Sequence, residues 1–338
     1  MSTYRFLLSG CGDAGLCVAE VAAKDGRGEI AALFDPRAEA VEQTQELYPN
    51  AVAGDDYVKL IQDTKPDVVV IAGPDHLHAE QALTALEHGA HVLIEKPLTT
   101  TVADARRVIA AAEQTDLHVM VDHTLRYVWP HKEIALAARE GRAGQIFYVQ
   151  GDYAGDLWPW YSDQGDRYTP WRIDPKHPQD ILLGGGCHPI DLMLWVVGSE
   201  VDEVHCYSNK FCVPEFPADD CLILIFRFEN GVLGECFISC GCKSGGSASP
   251  LEVFGTEGTL SVGKLLRGPG RDVDLEDTST GTLIGGHGWG GSVVDFLDTL
   301  DGKIENPIPA QFAAKTVALC EAALRSVESH KPEKVERI

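Results

Sequence analysis

The stretch that decides the fold is residues 4–15, Tyr-Arg-Phe-Leu-Leu-Ser-Gly-Cys-Gly-Asp-Ala-Gly. An apolar run leads into three glycines with the spacing Gly-x-Gly-x-x-Gly, and an apolar pattern of helical period follows them. This order predicts a strand, a tight turn and a helix, whose first N–H groups and positive dipole end face phosphates. We therefore expect a dinucleotide to be bound by Gly10, Gly12, Asp13, Ala14 and Gly15.

A second apolar run, residues 30–34, ends at Asp35, twenty residues past Gly15. A carboxylate at this distance bonds the ribose hydroxyls of a bound dinucleotide. A flexible loop beside an incidental surface acid is the alternative, but the strand, the spacing and the acid together favour the nucleotide site. Asp35 favours NAD because a carboxylate repels a 2′-phosphate, whereas Arg37 nearby leaves NADP as an alternative.

Composition sets the class of protein. The chain has 338 residues, enough for about two domains, and a formal net charge of −23, which argues against nucleic acid and anionic membranes as partners. Its ten cysteines are scattered, as expected of reduced thiols in a cytoplasmic protein. We find no run of about 18 apolar residues and no signal peptide, and we expect a cytoplasmic location.

The chain divides into two patterns. Up to Asp122, apolar runs at 67–71, 91–94 and 118–121 alternate with helical patterns, which predicts a Rossmann-type doubly wound parallel sheet over residues 1–122. From residue 145, strand-like runs follow one another and Asn230-Gly231 marks a hairpin. Residues 123–338 therefore read as an α+β domain with a large, mostly antiparallel open sheet, covered by helices near 190–197, 292–300 and 312–326. Glycine-rich segments at 241–249 and 281–291 are predicted to be mobile loops.

Polar residues follow two strands of the first domain. Lys96 lies in Glu95-Lys96-Pro97, directly after a predicted strand. A lysine at the carboxyl edge of such a sheet is a candidate acid or base, since partial desolvation lowers its pKa, although a solvated surface charge is the simpler reading of a lone lysine. His76 and His78, two residues apart, do not share a helix face, which favours capping or packing over metal binding.

The second domain offers a histidine and a carboxylate near one turn. His188 and Asp191 are three residues apart at the start of a helix that follows Gly184-Gly185-Gly186. They suit a proton relay in which the carboxylate orients the imidazole. A helix-capping histidine is equally consistent with the sequence. Cys236, Cys240 and Cys242 share a spacing that suggests zinc, but no fourth ligand is evident, so we expect buried thiols and no metal.

An aromatic segment, residues 153–172, is interleaved with acids and arginines. Aromatic faces stack on sugar C–H groups while carboxylates and guanidinium groups bond hydroxyls, which suits a carbohydrate pocket. Aromatic residues with arginine are nearly as typical of a subunit interface.

Gly10-x-Gly12-x-x-Gly15, Glu95-Lys96-Pro97 and the segment around His188 together resemble the Gfo/Idh/MocA family, named for glucose–fructose oxidoreductase and inositol dehydrogenase. Further segments at 74–80, 125–127 and 253–259 are similar to family segments in the same order. The resemblance implies NAD(P)-linked redox chemistry, usually on sugars or polyols, and an open sheet that forms the interface of a homo-oligomer, a dimer or tetramer.

Residue by residue, Lys96 is similar to the family's catalytic lysine and His188 to the histidine that holds or protonates the substrate oxygen. Asp191 resembles an assisting acid. The resemblance adds cofactor contacts from Pro74, His78, Glu95 and Lys96, and substrate contacts from Lys96, Arg126, Trp171, Arg172 and His188.

One position departs from the family pattern. Many members have an aspartate four residues before the histidine, where this chain has Gly184. Either Lys96 and His188 suffice, or another acid such as Asp180 takes part, or the chemistry differs. We therefore weigh three functions. They are an NAD(P)-dependent oxidoreductase of a sugar, sugar derivative or cyclic polyol, a redox-neutral NAD-dependent glycosidase or epimerase, and a non-catalytic NAD-binding sensor.

Overall fold

A computed structural model describes residues 3–243, 249–278 and 287–338. Two compact units divide the chain, the first comprising residues 1–127 and 280–314 and the second residues 128–279 and 315–338. The elements up to residue 122 alternate between strand and helix: β1 Tyr4–Ser9, α1 Asp13–Asp25, β2 Gly28–Phe34, α2 Ala38–Leu47, β3 Val52–Ala53, α3 Tyr57–Thr64, β4 Val68–Ile71, α4 His78–Glu87, β5 His91–Glu95, α5 Val102–Ala112 and β6 Val119–Asp122.

The strands of the first unit form one parallel sheet in the order β3-β2-β1-β4-β5-β6. All four residues of β4 are at most 1% exposed, as expected of a parallel strand covered by helices on both faces. β1 pairs with β2 on one side and with β4 on the other. The strands β2 and β3 therefore extend the sheet in one direction from β1, and the strands from β4 to β6 extend it in the other. This switch opens a crevice at the carboxyl ends of the strands. The predicted doubly wound fold is confirmed.

The first unit runs to residue 127 instead of 122, and it takes in a later part of the chain. The helix predicted at 292–300 was assigned to the second domain, but α9, Trp289–Leu300, belongs to the first unit. Arg27 Nη1 donates to Asp298 Oδ1 at 2.6 Å and to Asp301 Oδ2 at 2.9 Å, and Val121 N donates to Ile308 O at 3.0 Å. These long-range bonds hold α9 and the residues up to Ile308 in the unit that begins the chain.

The second unit contains a sheet that is ten-stranded in the described residues, and helices that lie before, within and after its strands. Its elements are α6 His131–Arg139, β7 Ile146–Gly151, β8 Tyr153–Ala154, α7 Trp158–Tyr161, α8 Cys187–Val197, β9 Val201–Asn209, β10 Cys221–Phe228, β11 Leu233–Ser239, β12 Leu251–Gly255, β13 Gly258–Ser261, β14 Lys264–Leu266, β15 Val273–Asp274, most of α10 Ala310–Ser329, and β16 Glu333–Lys334.

The second sheet is mostly antiparallel, in the order β15-β14-β13-β12-β7-β11-β10-β9-β16, with β11 parallel to both β7 and β8. The predicted Asn230-Gly231 hairpin joins β10 to β11, and Gly231 has φ +89°. β10 alternates buried and exposed residues along its length, so one face of the sheet packs on the helices and the other is open. This confirms the predicted open sheet.

Two glycine-rich segments, 241–249 and 281–291, are predicted to be mobile, and their residues 244–248 and 281–286 lie outside the described residues. Where the second segment is described, Trp289 to Gly291 begin α9, so the loop prediction was wrong for those three residues. Over the described parts of the chain, none of the helices combines the length and the apolar character needed to cross a membrane.

Candidate functional site

The glycine turn, residues 10–15, is packed at two of its glycines and open at the third. Gly10 has φ +111°, and a Cβ there would lie 2.5 Å from the carbonyl carbon of Ala72. A Cβ at Gly15 would collide with the carbonyl oxygen of Gly10. At Gly12, in contrast, the nearest atom to such a Cβ is Nη2 of Arg37, 3.8 Å away. Room therefore remains over Gly12 for an incoming group.

The helix that follows the turn begins at Asp13, with Gly12 as its N-cap in extended backbone geometry. No side chain among the described residues caps this end, although the first N–H groups of any α-helix lack partners within the helix. Those groups and the helix dipole attract an anion. The turn therefore suits a dinucleotide pyrophosphate, and the contacts expected from Gly10, Gly12, Asp13, Ala14 and Gly15 stay predictions.

Asp35, at the end of β2, is fixed by four hydrogen bonds. Its Oδ2 accepts from Cys11 N at 2.9 Å and from Arg37 Nη2 at 3.0 Å, and its Oδ1 accepts from Arg37 N at 2.9 Å and Nε at 3.0 Å. Burial raises the pKa of Asp35, but these bonds outweigh it and hold the pKa below its ordinary value. The carboxylate is therefore ionised beside the turn, and the Arg37 side chain, 64% exposed, lies at its outer side.

His78 joins the loops that follow β4 and β5. Its ring is fully buried, with Nδ1 2.7 Å from the carbonyl oxygen of Pro97 and Nε2 3.2 Å from that of Gly73. Pro74 lies next to Gly73 and precedes a short 3₁₀ helix at Asp75–Leu77. His78 therefore has the packing role that the sequence favoured, and it places the Pro74 loop against the Lys96 segment.

Lys96 begins the loop after β5, where a half-buried acid, Glu95, and a buried acid, Asp122, lie side by side. Glu95 and Asp122 are paired in register on β5 and β6. Glu95 Oε1 accepts a 2.8 Å hydrogen bond from Trp289 Nε1 of α9. Burial raises the pKa of both carboxyl groups, that of Asp122 well above its ordinary value, and each interacts electrostatically with Lys96.

His287 belongs to the same region of the first unit. Its Nδ1 lies 3.3 Å from Thr124 Oγ1 and its ring packs on Trp289, with ring centroids 4.7 Å apart. Burial, and then the charge of Lys96, lower the pKa of His287 to about 4. At neutral pH this imidazole is therefore uncharged beside Lys96.

Arg126 is 5% exposed and is held within the first unit. Its Nη1 donates to Pro307 O at 3.2 Å, and its guanidinium carbon lies 4.4 Å from the centroid of the Phe312 ring. These contacts give Arg126 a structural role, and its contact with substrate stays a prediction.

In the second unit, α8 carries both His188 and Asp191, which are 2% and 1% exposed. The His188 ring stacks on Tyr153, with centroids 5.8 Å apart and an interplanar angle of 26°. Both predicted residues therefore lie on one buried helix. The roles assigned to them stay predictions.

The triple-glycine segment, residues 184–186, is filled by neighbouring side chains. A Cβ at Gly184 would lie 2.7 Å from Cδ of Gln179, and a Cβ at Gly185 would lie 2.5 Å from Cε1 of Tyr153. At Gly186 it would collide with Cδ1 of Ile238. The departure at Gly184 thus has a physical reason, because Gln179 occupies the space that an aspartate side chain would need.

Asp180 and Arg172 flank this segment. Asp180 Oδ1 accepts from Leu182 N at 2.7 Å, and burial raises the pKa of Asp180 to about 6. Arg172 Nη1 donates to Gln179 Oε1, which also accepts from Tyr161 OH at 2.9 Å. The Arg172 guanidinium carbon lies 4.7 Å from the centroid of the Trp171 ring. The side chains of Trp171, Arg172 and Gln179 therefore form one contacting group.

Within the described residues, no three His, Cys, Asp or Glu side chains are arranged to hold a metal ion. Cys236 and Cys240 are buried and Cys242 is half-buried. The strand β11 ends at Ser239, so the three thiols do not share one strand face as the spacing suggested.

Sequence reasoning missed four residues of these sites: Asp122, Gln179, His287 and Trp289. Asp122 could have been predicted, because it ends the strand next to the one that ends in Glu95. Trp289 and His287 lie in a glycine-rich segment that resembled a loop, and nothing in their spacing points to Glu95.

Comparison with known proteins assigns the family. Residues 4–123 match the family model described as an oxidoreductase family with an NAD-binding Rossmann fold. Residues 131–261 match the GFO/IDH/MocA C-terminal domain. The 1,5-anhydro-D-fructose reductase of Ensifer adhaerens is 29% identical over 203 residues, covering 60% of this chain and 58% of that protein.

A glycosyl hydrolase family 109 protein of Bacteroides thetaiotaomicron is 30% identical over 231 residues, covering 60% of this chain and 48% of that protein. The chain thus spans about half the length of these curated relatives. Among solved structures, levoglucosan dehydrogenase in complex with NADH and levoglucosan has a TM-score of 0.87 at 20% identity, covering 100% of both chains, which shows a shared fold. Because consecutive parts of the chain match the two domains of one family, it belongs to the Gfo/Idh/MocA oxidoreductases and carries their NAD-binding Rossmann domain.

Proposed function

We propose that the protein is an NAD-dependent oxidoreductase that moves a hydride between the cofactor and a sugar, sugar derivative or cyclic polyol. The observation that carries the proposal is the first unit's arrangement of a glycine turn open at Gly12 and Lys96 at the carboxyl edge of the same sheet. Relatives named as an anhydrofructose reductase and a levoglucosan dehydrogenase support a carbohydrate substrate.

The reacting groups follow from the residue types. When bound, NAD supplies the ring that takes up the hydride during alcohol oxidation. Lys96 receives the proton of the substrate hydroxyl as general base, His188 holds the same oxygen, and Asp191 orients the imidazole. Pro74, His78 and Glu95 shape the loops that hold the cofactor beside Lys96.

Substrate recognition falls to the aromatic segment. Trp171 offers a ring face for sugar C–H groups, and Arg172, oriented by Gln179, offers donors for hydroxyl groups. Arg172 contacts the uncharged groups Gln179, Tyr161 and Trp171, which leaves its charge for a ligand.

The charge pair beside the glycine turn bears on cofactor choice. Asp35 is an ionised acceptor for ribose hydroxyls, which favours NAD. Arg37 pairs with Asp35 and its side chain is mostly exposed. It could therefore also meet the 2′-phosphate of NADP, and experiment must decide between the two cofactors.

The first test is a screen of sugars and inositols with NAD and NADP, following the absorbance of the reduced cofactor. Turnover with at least one of them is expected. Tight NAD binding without turnover on the whole panel would instead favour a non-catalytic sensor.

The second test is Lys96→Ala. Loss of a general base lowers kcat by about 100- to 10,000-fold, while NAD affinity, measured by calorimetry, stays near the wild-type value. Lys59→Ala is the control, because Lys59 is exposed on α3 and pairs only locally with Asp63. Wild-type turnover by Lys96→Ala contradicts the assignment.

A redox-neutral NAD-dependent glycosidase or epimerase is the second candidate. Gly184 in place of the usual acid, and the relative named as a family 109 glycosyl hydrolase, favour it. Release of free sugar from a glycoside without accumulation of NADH would distinguish it from the dehydrogenase.

We also infer a cytoplasmic homo-oligomer that associates through the open sheet. All ten cysteines are described and are free thiols. On the open face Tyr207 and Ile225 are 63% and 57% exposed, next to Ile223 and Leu233 at 39% and 49%. Ile225→Asp should lower the mass measured by light scattering, whereas Leu47→Asp on α2 should not. An unchanged mass for Ile225→Asp would count against this interface.

A further inference from the structure

The two acids beside Lys96, half-buried Glu95 and buried Asp122, have unequal surroundings. Glu95 and Asp122 are aligned on neighbouring parallel strands, and such strands lie about 4.8 Å apart. Side chains at aligned positions point to the same face of a sheet. A half-buried and a buried carboxyl group therefore lie side by side, where both cannot be ionised at low cost.

Glu95 has the partners that favour a charged carboxylate. Trp289 Nε1 donates a 2.8 Å hydrogen bond to its Oε1, and its electrostatic neighbours Lys96 and His78 also favour the charged form. Asp122 is 1% exposed and neither of its oxygens has a hydrogen-bond partner in the described residues. Ser292 faces Asp122 from α9, but the geometry is outside hydrogen-bond range for both groups.

The remaining groups around Asp122 leave it without a compensating charge of its own. Cys17 on α1 and Tyr127 after β6 are neutral at pH 7, and Asp295 of α9 lies beyond Tyr127. The nearby cation is Lys96, which is adjacent in sequence to Glu95 and shared with it. His287, which also lies by Lys96, is uncharged, and His78 interacts with Glu95. One lysine therefore faces two acids.

We propose that Asp122 is a positioning residue that remains a neutral carboxylic acid, so that Glu95 alone carries negative charge next to Lys96. The inference rests on the proposed function of Lys96 as a base and goes beyond it. A second carboxylate within ~6 Å would raise the pKa of an ammonium group by about 1 to 3. Neutral Asp122 avoids this, and Lys96 can then release its proton nearer to physiological pH.

The first experiment measures the charge state of Asp122 and needs no substrate. Infrared spectra of the full-length protein at pH 8, with and without ¹³C-aspartate, should contain a carboxylic-acid C=O band that shifts with the label. Asp122→Asn should remove the band. Asp180→Asn, the matched control, should retain it, because the pKa of Asp180 is about 6 and its carboxyl group is ionised at pH 8. A band that survives in Asp122→Asn, or no band at all, overturns the proposal.

The second experiment measures the effect on Lys96. Nitrogen-15 NMR of lysine-labelled protein gives the titration midpoint of the Lys96 ammonium group, whose signal is assigned by its loss in Lys96→Arg. This measurement does not require the protein to turn over a substrate. Asparagine imitates the neutral acid, so Asp122→Asn should leave the midpoint and the low-pH limb of kcat/KM in place. If Asp122 is charged in the native protein, its removal lowers the midpoint by about 1 to 3, and the proposal is wrong.

The third measurement is stability against pH. A carboxyl group whose pKa is raised by folding stabilises the fold fully below its unfolded pKa of ~3.9, and that contribution is lost as pH rises through the folded value. Asp122→Asn, and Asp122→Leu as an apolar second variant, should therefore gain stability relative to wild type between pH 4 and pH 9. A constant difference across this range contradicts the proposal. Failure of the substrate screen alone would affect only the proposed function, since the infrared, NMR and stability measurements do not depend on it.

Discussion

Two glycine-rich segments lead into helices in this protein, and they serve opposite purposes. In the glycine turn, residues 10–15, the space over Gly12 is open to within 3.8 Å of Arg37 Nη2. In the triple-glycine segment, residues 184–186, Gln179, Tyr153 and Ile238 fill the space at all three positions. Gly12 in the first segment leaves room for the ligand that we propose, whereas each glycine in the second makes room for a protein side chain. What lies opposite a glycine decides its role.

The largest effect that would sharpen this comparison is expected at Gly12. Gly12→Val leaves the fold intact because its side chain enters open space, but it blocks approach of the pyrophosphate to the backbone. NAD affinity should fall by about 100-fold, or ~3 kcal/mol, with an unchanged melting temperature. The NAD affinity of Gly12→Ala should lie between that of the wild type and that of Gly12→Val. Equal NAD affinity in all three proteins would show that the turn does not hold the cofactor.

The converse prediction concerns Gly185. Gly185→Val forces a branched side chain against Tyr153, and overpacking of this kind costs about 1–3 kcal/mol. The free energy of unfolding should fall by this amount, while NAD affinity of the folded protein is unchanged. Weaker NAD binding without loss of stability would break the contrast between the two segments.

A smaller and more specific effect is expected at Gly184. Gly184→Asp restores the acid of the usual family pattern but clashes with Gln179, so stability should fall. Gln179→Ala empties that space, and the double variant should recover part of the loss, with a coupling energy of about 0.5–3 kcal/mol in chemical unfolding. Additive effects of the two substitutions would mean that Gln179 is not what excludes the acid.

The smallest effect is expected at the edge of the glycine turn. Arg37→Ala removes a cation from beside the ribose position, so affinity for NADP should fall about tenfold, or ~1.4 kcal/mol. NAD affinity should change less, because Asp35 retains its bond from Cys11 N. Calorimetric titrations with both cofactors test this. An equal loss for NAD and NADP would mean that Arg37 only supports Asp35.

The local sequence pattern was sufficient to predict many helices and strands. It was insufficient to predict the residues that contact Glu95 and Gly184. The hairpin at Asn230-Gly231 was predicted and joins β10 to β11 as expected, because a turn signal is local in the sequence. The hydrogen bond from Trp289 to Glu95 joins residues 194 positions apart, and no periodicity encodes such a pair. Gln179 lies outside the π-helical turn Leu182–Gly186, yet its side chain fills the space beside Gly184. The spacing in the sequence reveals that the usual aspartate is absent at Gly184, but it does not reveal that Gln179 fills its place.

The discontinuity of the first unit has a consequence for how the protein is made. A ribosome releases residues 1–127 first, yet α9 and the chain to residue 314 complete that unit, and domains generally fold as units during synthesis. The Rossmann sheet must therefore wait, with Glu95 lacking its tryptophan donor, until almost the entire polypeptide has emerged. A gene fragment cut at Asp122 would encode all six strands of that sheet, but not a finished nucleotide-binding unit.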